Sequence, residues 1–199
     1  MFRFIAFDFH LARCLFDSLN PFGPKSLTHD NCFKTVHKRK EFPMATRYWL
    51  MKSEPGEYSL DDLKNEPDQT EHWDGVRNYQ ARNFMRDDMQ VGDRVLFYHS
   101  GKKPEVAGTA RVVRTSYPDH TAWDPDNAHF DPKSSPDNAI WFMVDVKFES
   151  EFDTPIPLKS LRDVPALTDM IRLRRGTRLS VMPVTKKEFD PIVKLGDKK

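Results

Sequence analysis

Two segments of this sequence together set donors and acceptors beside aromatic rings. One is Lys52-Ser53-Glu54-Pro55. The other runs Glu71-His72-Trp73-Asp74-Gly75-Val76-Arg77-Asn78-Tyr79. Two apolar runs end in polar residues, Lys52 and Ser53 after the first and His99 and Ser100 after the second. Polar groups at the ends of buried strands can converge on the floor of a cavity. An aromatic wall with a few donors and acceptors is the physical recipe for holding a planar base: the ring stacks, and hydroxyl, amide and backbone groups read the edge. A plainer reading stands beside it. Trp73 and Tyr98 can be core residues, Ser53 a capping hydroxyl and His72 a solvated loop histidine.

A second grouping is basic. Arg172, Arg174, Arg175 and Arg178 surround Gly176, and Arg82 and Arg86 lie four residues apart. Like charges at that spacing cost a helix a few tenths of a kcal/mol, so these arginines suit a phosphate partner. Solvated charge offset by neighbouring Asp is the alternative. A third grouping, Asp119, His120, Asp124, Asp126, His129 and Asp131, could ligate a metal. Its Asp124-Pro125-Asp126 lacks the Gly and Glu places of a calcium loop and reads better as a turn former, so no metal is expected. A search for nucleophiles finds no Gly-x-Ser-x-Gly elbow. Residues 44–199 hold no cysteine. His99 and Ser100, as neighbours on a strand, point to opposite faces. The chemistry expected is binding without catalysis and without a cofactor.

The elements that must position these groups begin near Met44. Tyr48-Trp49-Leu50-Met51 is a continuous apolar run, as in a strand covered on both faces. Ser59 and Asp62 form a variant capping box for a short helix. The next helix, about 78–89, puts Ala81, Phe84, Met85 and Met89 on one face and Asn78, Arg82 and Arg86 on the other. Further strands are expected over 94–99, 106–113, 140–148 and 180–184. In the third, Val106, Gly108, Ala110 and Val112 alternate onto one side, and Gly108 lets another group approach the backbone. A Pro-rich loop spans 118–138. A short helix is expected over 167–173, and Thr185 with Glu188 caps a final helix closing at Gly196. No Gly-rich phosphate loop follows any strand, which disfavours a dinucleotide fold.

Residues 1–43 differ in kind. They hold eight of the fifteen Phe, both cysteines (Cys14 and Cys32), and no Trp or Tyr, with no sustained periodicity. The segment is expected to be a disordered or non-native extension, with Met44 the natural start and residues 44–199 the folded domain. The formal net charge is only +1 over 199 residues, so attraction to nucleic acid must come from local geometry. No run approaches the roughly 18–20 apolar residues of a membrane span, and the cysteine usage suits a reducing compartment.

Four blocks, Tyr48 through Pro55, Trp73 through Asn83, Phe97-Tyr98-His99-Ser100 and Phe130-Asp131-Pro132-Lys133-Ser134, resemble the EVE domain family from about Tyr48 to Leu195. The resemblance implies a mixed α/β, PUA-like fold: a curved sheet or pseudo-barrel with peripheral helices. It also implies a non-enzymatic reader of a modified nucleobase, foremost a modified cytosine in DNA, acting in the cytoplasm, or in the nucleus of a eukaryote. The pocket it implies is lined by Ser53, Trp73, Asn78, Tyr79, Tyr98, His99 and Ser100, with Trp73 the stacking wall and Trp123 or Trp141 a further aromatic. Alternatives are recognition of modified RNA on the same fold, or amidohydrolase-like activity as in the related ASCH domains. The latter would be favoured by Lys52 and Glu54 both pointing into a closed pocket.

Overall fold

Apolar runs of four residues, Tyr48–Met51 and Val95–Tyr98, seed the sheet, as a computed structural model describing residues 45–173 and 177–197 shows. β1 (Tyr48–Ser53) buries Trp49, Leu50 and Met51 in succession, so both of its faces are covered. β3 (Arg94–His99) does the same with Val95 through Tyr98. The two pair in parallel, with Lys52 opposite Tyr98 and Ser53 opposite His99, so their polar ends lie side by side. β2 (Thr70–Trp73), β4 (Glu105–Pro118), β5 (Phe142–Pro157) and β6 (Val181–Val184) join antiparallel, completing one sheet of order β2-β5-β4-β3-β1-β6. The fold is mixed α/β, with short helices around a six-stranded open sheet. These residues belong to one compact unit, Phe42–Lys199. The extension expected over residues 1–43 lies outside the described residues.

Two apolar clusters sit on opposite faces of this sheet. One gathers Trp49, Met51, Trp73, Val95, Phe97, Ala110, Val112, Val144 and Val146 against helix-borne Leu60, Ala81 and Met85 and against Met89. The other gathers Leu50, Leu96, Tyr98, Val106, Phe152 and Met182 against Leu161, Leu167, Phe189 and Ile192. The alternation expected in β4 is broken. Val106 belongs to the second cluster whereas Ala110 and Val112 belong to the first, because the register shifts between Val106 and Gly108 and again between Thr109 and Ala110. Such bulges bend a strand and increase its twist. Gly108 sits at the bend, where a Cβ would stand 2.2 Å from the Ser150 carbonyl oxygen and 2.7 Å from a Leu60 methyl.

α1 (Leu60–Asn65) starts at the Ser59–Asp62 capping box, and α4 (Lys186–Gly196) at the Thr185–Glu188 box. α2 (Tyr79–Asn83) runs into a π-turn, Phe84–Asp88. α3 (Leu158–Arg162) follows β5 directly. In place of the helix expected over 167–173 there are two 3₁₀ turns, Pro165–Leu167 and Ile171–Leu173. No helix among the described residues is long and apolar enough to cross a membrane.

Candidate functional site

β1 and β2 are separated in the sheet by β5, β4 and β3, which would hold them roughly 19 Å apart at about 4.8 Å per strand if the sheet were flat. Yet residues of both line one cavity of about 540 Å³. The bulged β4–β5 pair curls the sheet until its β2 edge faces the end of β1. Lys52 and Ser53 come from β1, Glu54, Glu57 and Tyr58 from the chain after it, and Glu71, His72 and Trp73 from β2. Asp74, Gly75 and Val76 follow β2, with His129 and Ser180 reaching in from elsewhere.

Trp73 is held edge-on against Phe97, with ring centroids 5.3 Å apart at 79°. This fixes its plane within the wall. Ser53 Oγ donates to the Tyr58 carbonyl at 2.7 Å, while the Ser53 carbonyl accepts from the Ser100 amide at 2.7 Å. The Tyr58 hydroxyl is buried without a hydrogen-bond partner. Burial raises its pKa, and the nearby carboxylates of Glu66, Glu71 and Asp62 add to the shift. His72 Nδ1 lies against the Glu71 carboxylate, and its backbone amide donates to the same carboxylate at 2.7 Å. Four acidic residues, Glu54, Glu57, Glu71 and Asp74, line the cavity with one lysine, Lys52.

The rim is built on Gly75. Its φ of +69° is one that side chains rarely adopt, and a Cβ there would stand 2.5 Å from the His129 ring. The imidazole thus packs on bare backbone, its Nδ1 3.4 Å from Asp74 Oδ2. Beneath the rim the fully buried Asp119 carboxylate accepts from the Gly75 amide at 3.2 Å, from Arg77 Nη1 at 2.7 Å and from the Thr121 hydroxyl at 2.6 Å. Burial pushes its pKa up, but the bonds from Thr121 and Arg77 outweigh that and hold it below the usual carboxylate value.

Of the seven pocket residues expected, the structure brings Ser53 and Trp73 together at the cavity. The other five stand elsewhere. Tyr98 is fully buried on the opposite face, where its hydroxyl accepts from Arg172 at 2.8 Å, because alternation along β3 sends it away from Phe97. His99 Nε2 accepts from the Leu60 amide at 3.1 Å, and burial lowers its pKa, so the ring anchors α1 as neutral imidazole. Ser100 contributes the backbone bond to Ser53. Asn78 caps α2, its Oδ1 accepting from the Gln80 and Ala81 amides at 3.0 Å. Tyr79 projects outward, 59% exposed.

The arginines also divide. Arg174 and Arg175 lie outside the described residues. Arg172 is engaged with Tyr98, its guanidinium 4.6 Å from that ring, and so turns into the fold instead of onto a phosphate track. Arg178 is exposed. Arg86 pairs with Asp87 at 2.7 Å. Arg82 bonds the Ile140 carbonyl at 2.5 Å and Asn83 Oδ1 at 2.8 Å. Trp123 Nε1 donates to Ser134 at 3.2 Å and Trp141 Nε1 to Asp131 at 2.7 Å, so both indoles brace the long loop. Among the described residues, no group of three His, Cys, Asp or Glu side chains could hold a metal ion. Glu57, Tyr58 and Ser180 lay outside every segment singled out for the site in the sequence, and Glu71 and Gly75 lay inside one without being placed in the expected pocket. Glu71 was hidden because β2 is too short to show a period, and Gly75 carried a signal only as turn punctuation.

The sequence model of the EVE domain matches residues 47–195. The chain is 40% identical over 192 residues to human thymocyte nuclear protein 1, covering 87% of this chain and 80% of that protein. Its zebrafish (Danio rerio) counterpart is 45% identical over 165 residues, covering 74% and 71%. Among solved structures, that of the human THYN1 protein in complex with 5-methylcytosine-containing DNA superimposes with a TM-score of 0.73 at 42% identity, covering 77% of this chain and 99% of that one. A hypothetical protein from Leishmania major gives a TM-score of 0.72 at 48% identity, covering 76% and 95%.

Proposed function

The chain belongs to the EVE domain family, and on that premise we propose that it is a non-enzymatic reader that takes a modified nucleobase, foremost a modified cytosine in DNA, into the cavity between β1 and β2. The observation that carries the proposal is the pairing of a fixed indole, Trp73, with a lining rich in acidic residues in a cavity of about 540 Å³. That volume is ordinary for a small-ligand site. Carboxylates accept from an exocyclic amino group, such as N4 of cytosine, and repel phosphate, so the cavity suits a base edge and not the backbone. The solved human relative with 5-methylcytosine-containing DNA supports the same assignment.

Extruding a base costs a few kcal/mol, and stacking on one aromatic returns about 1–3 kcal/mol. Binding is therefore modest until a modification or a single-stranded context shifts the balance. Ser53, whose hydroxyl hydrogen is held by a backbone carbonyl, is a positioning group in this account. The reader acts where its nucleic acid is, in the cytoplasm or in the nucleus of a eukaryote. Fluorescence anisotropy with matched oligonucleotides containing 5-methylcytosine or cytosine, as DNA and as RNA, tests the proposal. Tighter binding of methylated DNA is expected. Equal affinity for all four would overturn it, and preference for the methylated RNA would make RNA the polymer read.

The amidohydrolase-like alternative calls for Lys52 and Glu54 directed into a closed pocket. Both residues line the cavity, but it is half open to solvent, which leaves the reader as the better-supported of the two. Mass spectrometry of modified nucleosides incubated with the protein separates the two, since a reader returns them unchanged.

A further inference from the structure

From Tyr79 and its surroundings we infer a second contact for the strand, a stacking platform for a base flanking the one captured in the cavity. The inference rests on the reader proposal above. Tyr79 is the first residue of α2 and is among the most exposed large apolar side chains described, at 59%. Its ring does not float. It leans on Trp141, with centroids 5.0 Å apart and planes tilted by 30°, and Trp141 is itself buried and pinned through its indole N–H to Asp131.

The Arg82 guanidinium lies 5.0 Å from the Tyr79 centroid and 5.9 Å from that of Trp141. With the 5.0 Å between the rings, these distances make a nearly equilateral triangle. Arg82 and Trp141 therefore do not sandwich Tyr79 from opposite sides, and ring surface away from both remains open to solvent. An exposed, immobilised ring of this kind costs little entropy to use as a stacking surface, and every base offers a π-face to it.

Charge points to the same occupant. Arg82 bonds a carbonyl and an amide oxygen, with no carboxylate ion pair among the described residues. Its charge is left for a partner, and Arg86 stands one turn further on. A base on Tyr79 would carry its phosphates past these guanidiniums. Arg77 joins the platform to the cavity, since it lies 5.4 Å from the Trp141 centroid while its Nε donates to the carbonyl of His129, a cavity residue, at 2.9 Å. A strand with one base in the cavity can thus keep a neighbour on Tyr79.

The test uses single-stranded DNA carrying one 5-methylcytosine, with the fluorescent base 2-aminopurine on its 5′ or its 3′ side. Stacking on the ring should quench 2-aminopurine at one of these positions when the protein binds. Tyr79→Ala should abolish that quench and weaken binding about 5-fold or more, equally for methylated and unmethylated strands, and Tyr79→Phe should restore the quench. Undiminished quench and affinity in Tyr79→Ala would overturn the platform while leaving the reader proposal intact. No binding of methylated DNA by the unaltered protein would overturn the reader proposal, and the platform with it.

Discussion

The cavity and the Tyr79 surface are neighbours of opposite electrical character. The cavity is lined by four acidic residues and one lysine, whereas the outer surface carries Arg77, Arg82 and Arg86 over or beside Tyr79, Trp141 and Phe142. The difference divides the work of binding. A carboxylate wall can accept from a base edge but repels the backbone, so attraction for the polymer must come from outside. Near-neutral net charge conceals this division, because the two regions cancel in the total.

Asp119 joins the two regions, holding Gly75 on one side and Arg77 on the other, so breaking it should have the largest effect. Asp119→Ala leaves two backbone amides, a hydroxyl and a guanidinium without their acceptor. A loss of about 3 kcal/mol in stability is expected, since each orphaned group costs about 1–3 kcal/mol and Arg77 is partly solvated. Urea denaturation with an unchanged m-value would report it. The carboxylate's lowered pKa makes its contribution present above the ordinary carboxylate pKa of about 4 and lost as pH falls below it. Asp119→Asn should blunt that acid-side loss.

Next in size is the stacking wall. Trp73 is only 8% exposed, so truncation to alanine would also open the core. Trp73→Leu keeps more apolar volume than alanine would while removing the extended ring, and should weaken binding of a 5-methylcytosine strand by about 1–3 kcal/mol. The preference for methylation should shrink, and the salt dependence should stay. A smaller effect is expected at His99, the strand-end residue that the cavity does not use. Its folded pKa is depressed by burial, so its contribution is complete above the unfolded value of about 6.5 and declines as pH falls from there toward the folded pKa. His99→Gln should flatten stability over that window and leave base discrimination unchanged. The smallest effect belongs to Arg86, exposed and already paired with Asp87. Arg86→Gln should lower the salt slope by at most about one unit, alike for methylated and unmethylated strands.

The sheet was legible where burial is two-sided: Trp49, Leu50 and Met51 announce β1, and Val95 through Tyr98 announce β3. The caps at Ser59 and Thr185 were legible because a capping box is a local signal. The cavity was only partly so. Ser53 and Trp73 could be picked by type and setting, but Tyr98 misled because a buried run hides which face each ring takes. β5 runs to Pro157, past the point where alternation stops at Phe148, since bulges reset the register there. Those same bulges bring β2 to β1, and no periodicity encodes that approach.

The most direct test is an NMR titration of the isotopically labelled protein with two DNA strands that differ only in one 5-methyl group. The methylated strand is expected to shift the Trp73 indole N–H and the Gly75 and Ser53 amides further than the unmethylated strand does. Tyr79 and Arg82 resonances should move alike for both. Equal shifts around Trp73, or methyl-dependent shifts confined to the opposite face near Tyr98 and Arg172, would contradict the reader assignment.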